Sequence, residues 1–258
     1  MTLATRMYGI AAFILGLTGL IFGSFEAFGL PVPPGTPGYP ILVYGAAALL
    51  AAAGLAAQLR LTVRPATLML AAFFAATLLI LCLPAAVKAP STWVSYENIA
   101  EKLAMLLGAL LAFAAVGTGP RADVIRKVAP LLFGACLVVF GISEFVYARF
   151  TASLVPAWLP PSQLFWAYAT GACQIAAGLA VLSGVLDRLA ATLLTVMYLG
   201  FGLILHLPRV IAEPGLPGAW SENGVNLVLA GAAWVLAETL WRVKRPGPET
   251  EDDPVASI

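Results

Sequence analysis

The chain has 258 residues, of which 61% are apolar and only 10% are charged, and its mean hydropathy is +0.93. Soluble globular proteins contain about 45–50% apolar and about 25% charged residues, so this composition excludes a soluble domain. The formal net charge of +1 leaves no basic surface that would neutralise phosphates, which excludes nucleic acid as a partner. We therefore expect an all-α, polytopic membrane protein whose surroundings are the lipid bilayer.

Eight apolar runs are long enough to cross a bilayer, which takes about 20 residues per helix. In chain order we predict transmembrane helices over residues 7–28, 40–58, 66–87, 98–117, 128–148, 162–184, 187–207 and 221–241. The first four helices form one predicted repeat, residues 1–120, and the last four form a second, residues 121–242. The polar and acidic residues 243–258 are predicted to be a disordered tail.

The basic residues predict the orientation of these helices. Ten of the fourteen Lys and Arg residues lie at the two termini or in the loops after helices 2, 4 and 6. The opposite side holds only Lys88, Lys102, Arg149 and Arg209. By the positive-inside rule both termini are cytoplasmic. The outer loops are rich in proline and aromatic residues, which is typical of an interfacial aromatic belt or of an ordered lid.

The two halves of the chain resemble each other in sequence. At an offset of 118, Gly16, Phe22, Gly23 and Glu26 match Gly134, Phe140, Gly141 and Glu144. At an offset of 124, the segment LILCLP at 79–84 matches LILHLP at 203–208. We infer a tandem four-helix repeat with about six extra residues after helix 5. Because each half has an even number of helices, the halves are expected to be parallel and related by a pseudo-two-fold axis along the membrane normal.

Ionisable residues within membrane helices are costly, and here they concentrate near the outer ends. Glu97 and Glu222 follow Ser95 and Ser221, so helix capping and the positive end of the helix dipole explain them. Glu26 and Glu144 are placed near the C-terminal ends of helices 1 and 5, where the dipole disfavours a negative charge. They therefore need a proton, a cation such as Lys102 or Arg149, or a ligand.

His206 is the only histidine, and it replaces Cys82 of the first half. We hypothesise a ligand or proton site at the outer ends of the helices, whose candidate residues are Glu26, Glu101, Lys102, Glu144, His206, Glu222 and Asn223. His206, Glu144 and Glu222 are also candidate metal ligands. The three cysteines are isolated and no CxxC occurs, so disulfide exchange, iron–sulfur clusters and cysteine-rich zinc sites are not expected.

Each half resembles the four-helix DoxX family. The resemblance rests on the FG-x-x-E endings at Glu26 and Glu144, the AAGLA stretches at 52–56 and 176–180, and the LHLP segment followed by Trp220–Asn223. It implies a bacterial inner-membrane protein with other membrane protein subunits, or further copies of itself, as partners. It also implies an accessory or scaffold subunit of a membrane redox complex.

Two alternative functions remain open. The first is a quinone-interacting oxidoreductase subunit, because carboxylates and a histidine facing outward can exchange protons with a quinol. A quinone is accordingly the cofactor that these residues would suit. The second is a small-solute transporter, which usually places polar residues or broken helices near the bilayer midplane.

Overall fold

The computed structural model describes residues 1–30 and 32–243, and within these ranges it contains helices and no strand. Eight helices are long and apolar enough to cross a membrane, so the chain is a multi-pass membrane protein. They are α1 Leu3–Phe22, α2 Tyr39–Ala56, α3 Val63–Lys88, α4 Trp93–Ala115, α5 Pro120–Val146, α6 Gln163–Ser183, α7 Asp187–Ala212 and α8 Pro217–Val243. The predicted tail from residue 244 onward lies outside the described residues.

Two short elements follow α1 and α5. A 3-10 turn spans Phe25–Phe28, and a short helix spans Ala148–Leu154. α1 ends at Phe22, earlier than predicted, because Gly23 adopts a left-handed conformation with φ of 56°. Ser24 then caps the 3-10 turn by accepting a hydrogen bond from the backbone N–H of Glu26 at 3.2 Å. Glu26 therefore lies at the start of this turn and not at the C-terminal end of α1.

The other helix ends explain two more differences from the predictions. α4 begins at Trp93 and α8 at Pro217, several residues before the predicted starts. Ser95 and Ser221 consequently lie inside these helices, where both are buried, and they do not cap them.

α3 and α7 each contain one widened π turn, at Leu78–Cys82 and Gly202–His206. Each turn ends two residues before a proline, Pro84 or Pro208. Proline lacks the N–H donor and its ring clashes with the carbonyl of the preceding turn, so the hydrogen-bond ladder widens there. The backbone N–H of residue 207 accordingly bonds to Gly202, five residues back.

Helices pack in the same pairs in both halves. α1 packs against α2 as α5 packs against α6, and α3 packs against α4 as α7 packs against α8. Between the halves α1 contacts α8, α5 contacts α4, and α4 contacts α8. When helices α1–α4 are exchanged with α5–α8, each of these helix–helix contacts maps onto another contact in the structure. α8 is the most buried of the eight spans and lies at the centre, whereas α7 is the most exposed, followed by α2 and α6.

Close glycine contacts fix the register between the halves. A Cβ added at Gly16 would meet Ala47 and Ala51 of α2, and one added at Gly141 would meet Gly171 and Ile175 of α6. The offset is therefore 125 between α1 and α5 and 124 between α2 and α6, so the second half has one residue fewer after α5 and not the six more that the alignment at 118 predicts. The glycines serve helix packing, as their spacing predicts.

This register corrects the predicted alignment at an offset of 118. The two alignments differ by seven residues, about two helical turns, so the wrong one still places matching residues on the same face. Glu144 consequently corresponds to Gly19, and Glu26 corresponds to Thr151. The prediction that Glu26 and Glu144 are equivalent is wrong.

Candidate functional site

The second half contains a cavity of about 320 Å³, bounded by α5, the short helix Ala148–Leu154, α6 and α7. Its walls are mostly apolar and include the aromatic rings of Trp166 and Phe201. Four polar residues also line it, namely Glu144, Thr151, Thr170 and His206. A largely apolar cavity with a few convergent polar groups is typical of a small-molecule binding site.

Glu144 lies in the last turn of α5 and is half-buried. Gln174 of α6, itself buried, donates a hydrogen bond from Nε2 to Glu144 Oε1 at 3.4 Å, and the side chain of Thr151 also interacts with this carboxylate. Within residues 1–30 and 32–243, neither Lys102 nor Arg149 nor any other cation forms an ion pair with Glu144. This carboxylate therefore has neutral hydrogen-bonding partners only.

His206 is the last residue of the π turn in α7, and its side chain is largely buried. It lies between the cavity and Glu222 of α8, whose Oε2 is 3.9 Å from His206 Nδ1. Arg209 forms an ion pair with Glu222 through its guanidinium group and lies 3.6 Å from Glu213. Glu222 is thus neutralised by Arg209.

The predicted site is brought together only in part. Glu144 and His206 line one cavity, whereas Glu222 contacts His206 but is not among the lining residues. Over the described ranges no three His, Cys, Asp or Glu side chains lie close enough to hold a metal ion. His206, Glu144 and Glu222 therefore do not form the metal site that their residue types predict.

The remaining candidate residues lie elsewhere. Glu101 and Lys102 form an ion pair on α4, and Lys102 is only 2% exposed. Glu26 is exposed, and its carboxylate lies beside Gly218 at the start of α8. Asn223 faces the π turn at Gly202, and its buried Oδ1 has no hydrogen-bond partner within the described chain. None of these residues lines the cavity.

Tyr198 and Gln174 are additions that the sequence did not indicate. The Tyr198 side chain is 4% exposed, and its hydroxyl has no hydrogen-bond partner in the part of the chain that the structure describes. Its neighbour Met197 lines the cavity, but Tyr198 itself does not. A tyrosine and a glutamine within apolar runs carry no sequence signal that separates them from core residues.

Three aromatic residues near the starts of α6, α8 and α4 hold the backbones of the preceding segments in place. Trp166 donates from Nε1 to the carbonyl of Pro160 at 2.9 Å, and Trp220 donates to Pro214 at the same distance. The hydroxyl of Tyr96 donates to Pro90 at 2.8 Å. Each aromatic side chain bonds to a carbonyl six residues earlier. Trp166 also lines the cavity, so this bond ties the loop before α6 to the cavity wall.

The first half has an aromatic ring at the position of the Glu144 carboxylate. Gly19 corresponds to Glu144, and the ring of Phe28 lies directly against it. Phe28 belongs to the 3-10 turn and is only 2% exposed. Its counterpart in the second half is Ser153, whose side chain is exposed. At this position the first half therefore has the aromatic ring of Phe28, whereas the second half has the carboxylate of Glu144 beside a cavity.

Comparison with known proteins places the cavity inside a matched region. A family model described as a domain of unknown function, DUF8561, matches residues 133–210. This range includes every residue that lines the cavity, from Glu144 to His206. No curated protein matches this chain, and no solved structure matches it. The match covers less than half of the chain and assigns no activity to it.

Proposed function

We propose that this chain is a membrane-embedded binding protein that takes a lipid-soluble molecule into the cavity of the second half. The apolar part of that molecule would contact Trp166 and Phe201, and its polar end would face Glu144 and His206. The difference between the halves is the observation that carries this proposal. Where the first half packs Phe28 against Gly19, the second half leaves about 320 Å³ beside a carboxylate.

A quinone or quinol is one ligand class that these residues suit. A quinol hydroxyl can donate to the carboxylate of Glu144, and the imidazole of His206 can exchange hydrogen bonds with a second oxygen. The roles predicted from the DoxX resemblance, an accessory or scaffold subunit of a redox complex with protein partners, stay predictions. A small-solute transporter is a third predicted function.

We also propose the cellular setting from the basic residues. The excess of Lys and Arg at the termini and in three loops supports cytoplasmic termini, and the resemblance to the DoxX family implies the inner membrane of a bacterium. The cavity lies near the C-terminal ends of α5 and α7, so this orientation places it toward the outer face.

A cavity-filling variant tests the proposal. Gly200 lines the cavity, and a Cβ added there meets no atom within 4 Å. Gly200→Leu is therefore expected to fill the cavity without a clash at its Cβ. Gly45 of α2 also has open space around its Cβ but does not line the cavity, which makes Gly45→Leu the matched control. The probe is diphenylhexatriene, an apolar fluorophore, titrated into protein in lipid nanodiscs with empty nanodiscs as the blank.

We expect saturable diphenylhexatriene binding by the wild type and by Gly45→Leu, and its loss in Gly200→Leu. Equal binding by all three proteins would contradict the proposal. Decylubiquinone added as a competitor tests the quinone class. If His206 contacts a quinone head, His206→Cys, which copies Cys82 of the first half, weakens this competition and leaves diphenylhexatriene binding unchanged.

A further inference from the structure

The side chains that line the cavity have few hydrogen-bond donors left for a ligand. Trp166 donates from Nε1 to a carbonyl of the preceding loop at 2.9 Å. The hydroxyls of Thr170 and Thr151 donate to the carbonyls four residues earlier, at 2.8 Å and 3.2 Å. Among the lining residues that the structure describes, only His206 and, when it is protonated, Glu144 have a further side-chain donor.

The same residues offer several hydrogen-bond acceptors. A carboxylate can accept about four hydrogen bonds, and Gln174 donates one of them to Glu144 at 3.4 Å. The hydroxyl oxygens of Thr151 and Thr170 can accept a bond in addition to the one that each donates. The cavity therefore has more acceptors than donors, and it is best satisfied by a ligand that supplies a donor.

Two of the polar residues around the cavity replace apolar residues of the first half. Thr170 corresponds to Ala46 in the register that the glycine contacts give, and Gln174 corresponds in the same way to Leu50. Both Gln174 and Leu50 are buried. Polar side chains within membrane helices are costly and are usually functional. The exchange of a buried leucine for a glutamine that holds Glu144 therefore indicates a role for this carboxylate at the cavity.

The cavity does not suit an acidic ligand, because no Lys or Arg lines it in the part of the chain that the structure describes. A carboxylate or phosphate group would lie beside Glu144 without a cation to pair with it, and such a charge is strongly destabilised. Glu144 itself has a neutral amide, that of Gln174, as a hydrogen-bond partner. A hydroxyl group supplies the donor that the cavity lacks and adds no charge.

On these grounds we infer that the ligand of this cavity is an uncharged, lipid-soluble alcohol whose hydroxyl donates a hydrogen bond to Glu144. This inference rests on the proposed function and adds the chemical class of the polar end. Gln174 is then a positioning residue, since it holds the carboxylate through Oε1. The hydrocarbon part of the alcohol would lie against Trp166 and Phe201, which line the apolar walls.

Dodecanol and dodecyl methyl ether test the inference because they share one alkyl chain and an oxygen, and only dodecanol has an O–H donor. Both compete with diphenylhexatriene in nanodiscs of phosphatidylcholine, and their concentrations are measured in the lipid. We expect dodecanol to displace the probe at about fivefold lower concentration than the ether, the factor expected from one hydrogen bond. Glu144→Gln, which adds an N–H donor that either oxygen can accept, should abolish this preference. Glu26→Gln, which removes an exposed carboxylate outside the cavity, should keep it.

Thr170→Val is the second variant, and it preserves the shape of the side chain. Because the Thr170 hydroxyl donates to its own helix, its loss should leave displacement by the ether unchanged. Thr67→Val is the control for the loss of such a bond, since the buried Thr67 of α3 donates to the carbonyl of Val63 at 2.8 Å. Weaker displacement by the ether in Thr170→Val alone would show that Thr170 donates to the ligand and would contradict the inference.

The remaining outcomes separate the inference from the proposed function. Equal displacement by alcohol and ether from the wild type, or a preference that persists in Glu144→Gln, contradicts the inference and leaves the proposed function standing. Displacement by dodecylamine at lower concentration than dodecanol would assign a cation to the site and contradict an uncharged ligand. Absence of diphenylhexatriene binding to the wild type overturns both.

Nanodiscs containing phosphatidylglycerol separate an uncharged alcohol from a lipid headgroup, because this headgroup carries hydroxyls beside a phosphate. We expect wild-type protein to bind the probe in them as tightly as in phosphatidylcholine discs. Weaker binding in the presence of phosphatidylglycerol would assign the site to the headgroup and contradict an uncharged alcohol.

Discussion

The ring of Phe28 lies against Gly19, and Gly19 occupies the position that Glu144 occupies in the second half. This contact makes the two halves chemically unequal although their helices pack in the same pairs. In the first half the 3-10 turn folds an aromatic side chain back onto α1. In the second half the short helix Ala148–Leu154 leaves a cavity at the corresponding place.

Phe28→Ala should therefore destabilise the first half. Removal of a buried phenyl ring costs about 3 kcal/mol of unfolding free energy because a cavity is left behind. Phe150→Ala is the control, since Phe150 is 63% exposed, and we expect a change within about 0.5 kcal/mol. Thermal unfolding in one detergent measures both. Similar unfolding temperatures for the two variants would mean that Phe28 does not fill this space.

The glycine contacts give a second test of stability. Gly16→Ala and Gly141→Ala each place a Cβ against the neighbouring helix, which should cost about 1–3 kcal/mol. Gly45→Ala meets open space and should be neutral or stabilising by up to about 1 kcal/mol, because alanine favours helix. Thermal unfolding of the three variants under one condition is the measurement. A destabilised Gly45→Ala with an unchanged Gly16→Ala would contradict the helix pairs described above.

The buried ion pair of α4 can be exchanged for the residues of the other half. Lys102→Leu alone leaves Glu101 without its cation and should cost about 3 kcal/mol. The double variant Glu101→Asn with Lys102→Leu copies Asn226 and Leu227 and should recover most of that loss. Chemical unfolding of the single and double variants measures the coupling. If the double variant loses at least as much unfolding free energy as Lys102→Leu alone, Lys102 contributes through packing and not through its ion pair with Glu101.

The orientation is tested at the two ends of one helix. Ser162 and Ser183 are both exposed and flank the 21-residue α6, so they lie about 30 Å apart along its axis. In a Cys173→Ala background, Ser162→Cys should react with a membrane-impermeant thiol reagent in spheroplasts. Ser183→Cys should react only after lysis. The reverse pattern would invert the topology.

The sequence predicts the number of helices well because each apolar run is long and bounded by loops rich in proline or basic residues. The ends are less predictable, since Gly23 ends α1 through a left-handed conformation in the middle of an apolar run. The offset of 118 misassigned Glu144 because a shift of about two helical turns preserves the face of a helix. The packing of Gly16 and Gly141 distinguishes the two registers.

The cavity itself was beyond prediction from sequence. His206 and Glu144 were identified as candidates because one breaks a matching segment and the other is a carboxylate near a helix end. Their meeting at one cavity depends on where the chain folds after α5, which neither residue determines. The pairing of Glu222 with Arg209 likewise required the structure, because the two residues belong to different helices, α7 and α8.

The central claim is that the cavity between Glu144 and His206 holds a ligand in the native membrane. The most direct measurement is mass spectrometry of lipid-soluble molecules extracted from the wild type, Gly200→Leu and Gly45→Leu, each purified with its surrounding lipid. We predict one species at about one molecule per chain in the wild type and in Gly45→Leu, and its absence from Gly200→Leu. The same molecules in the same amounts from all three proteins would contradict the account.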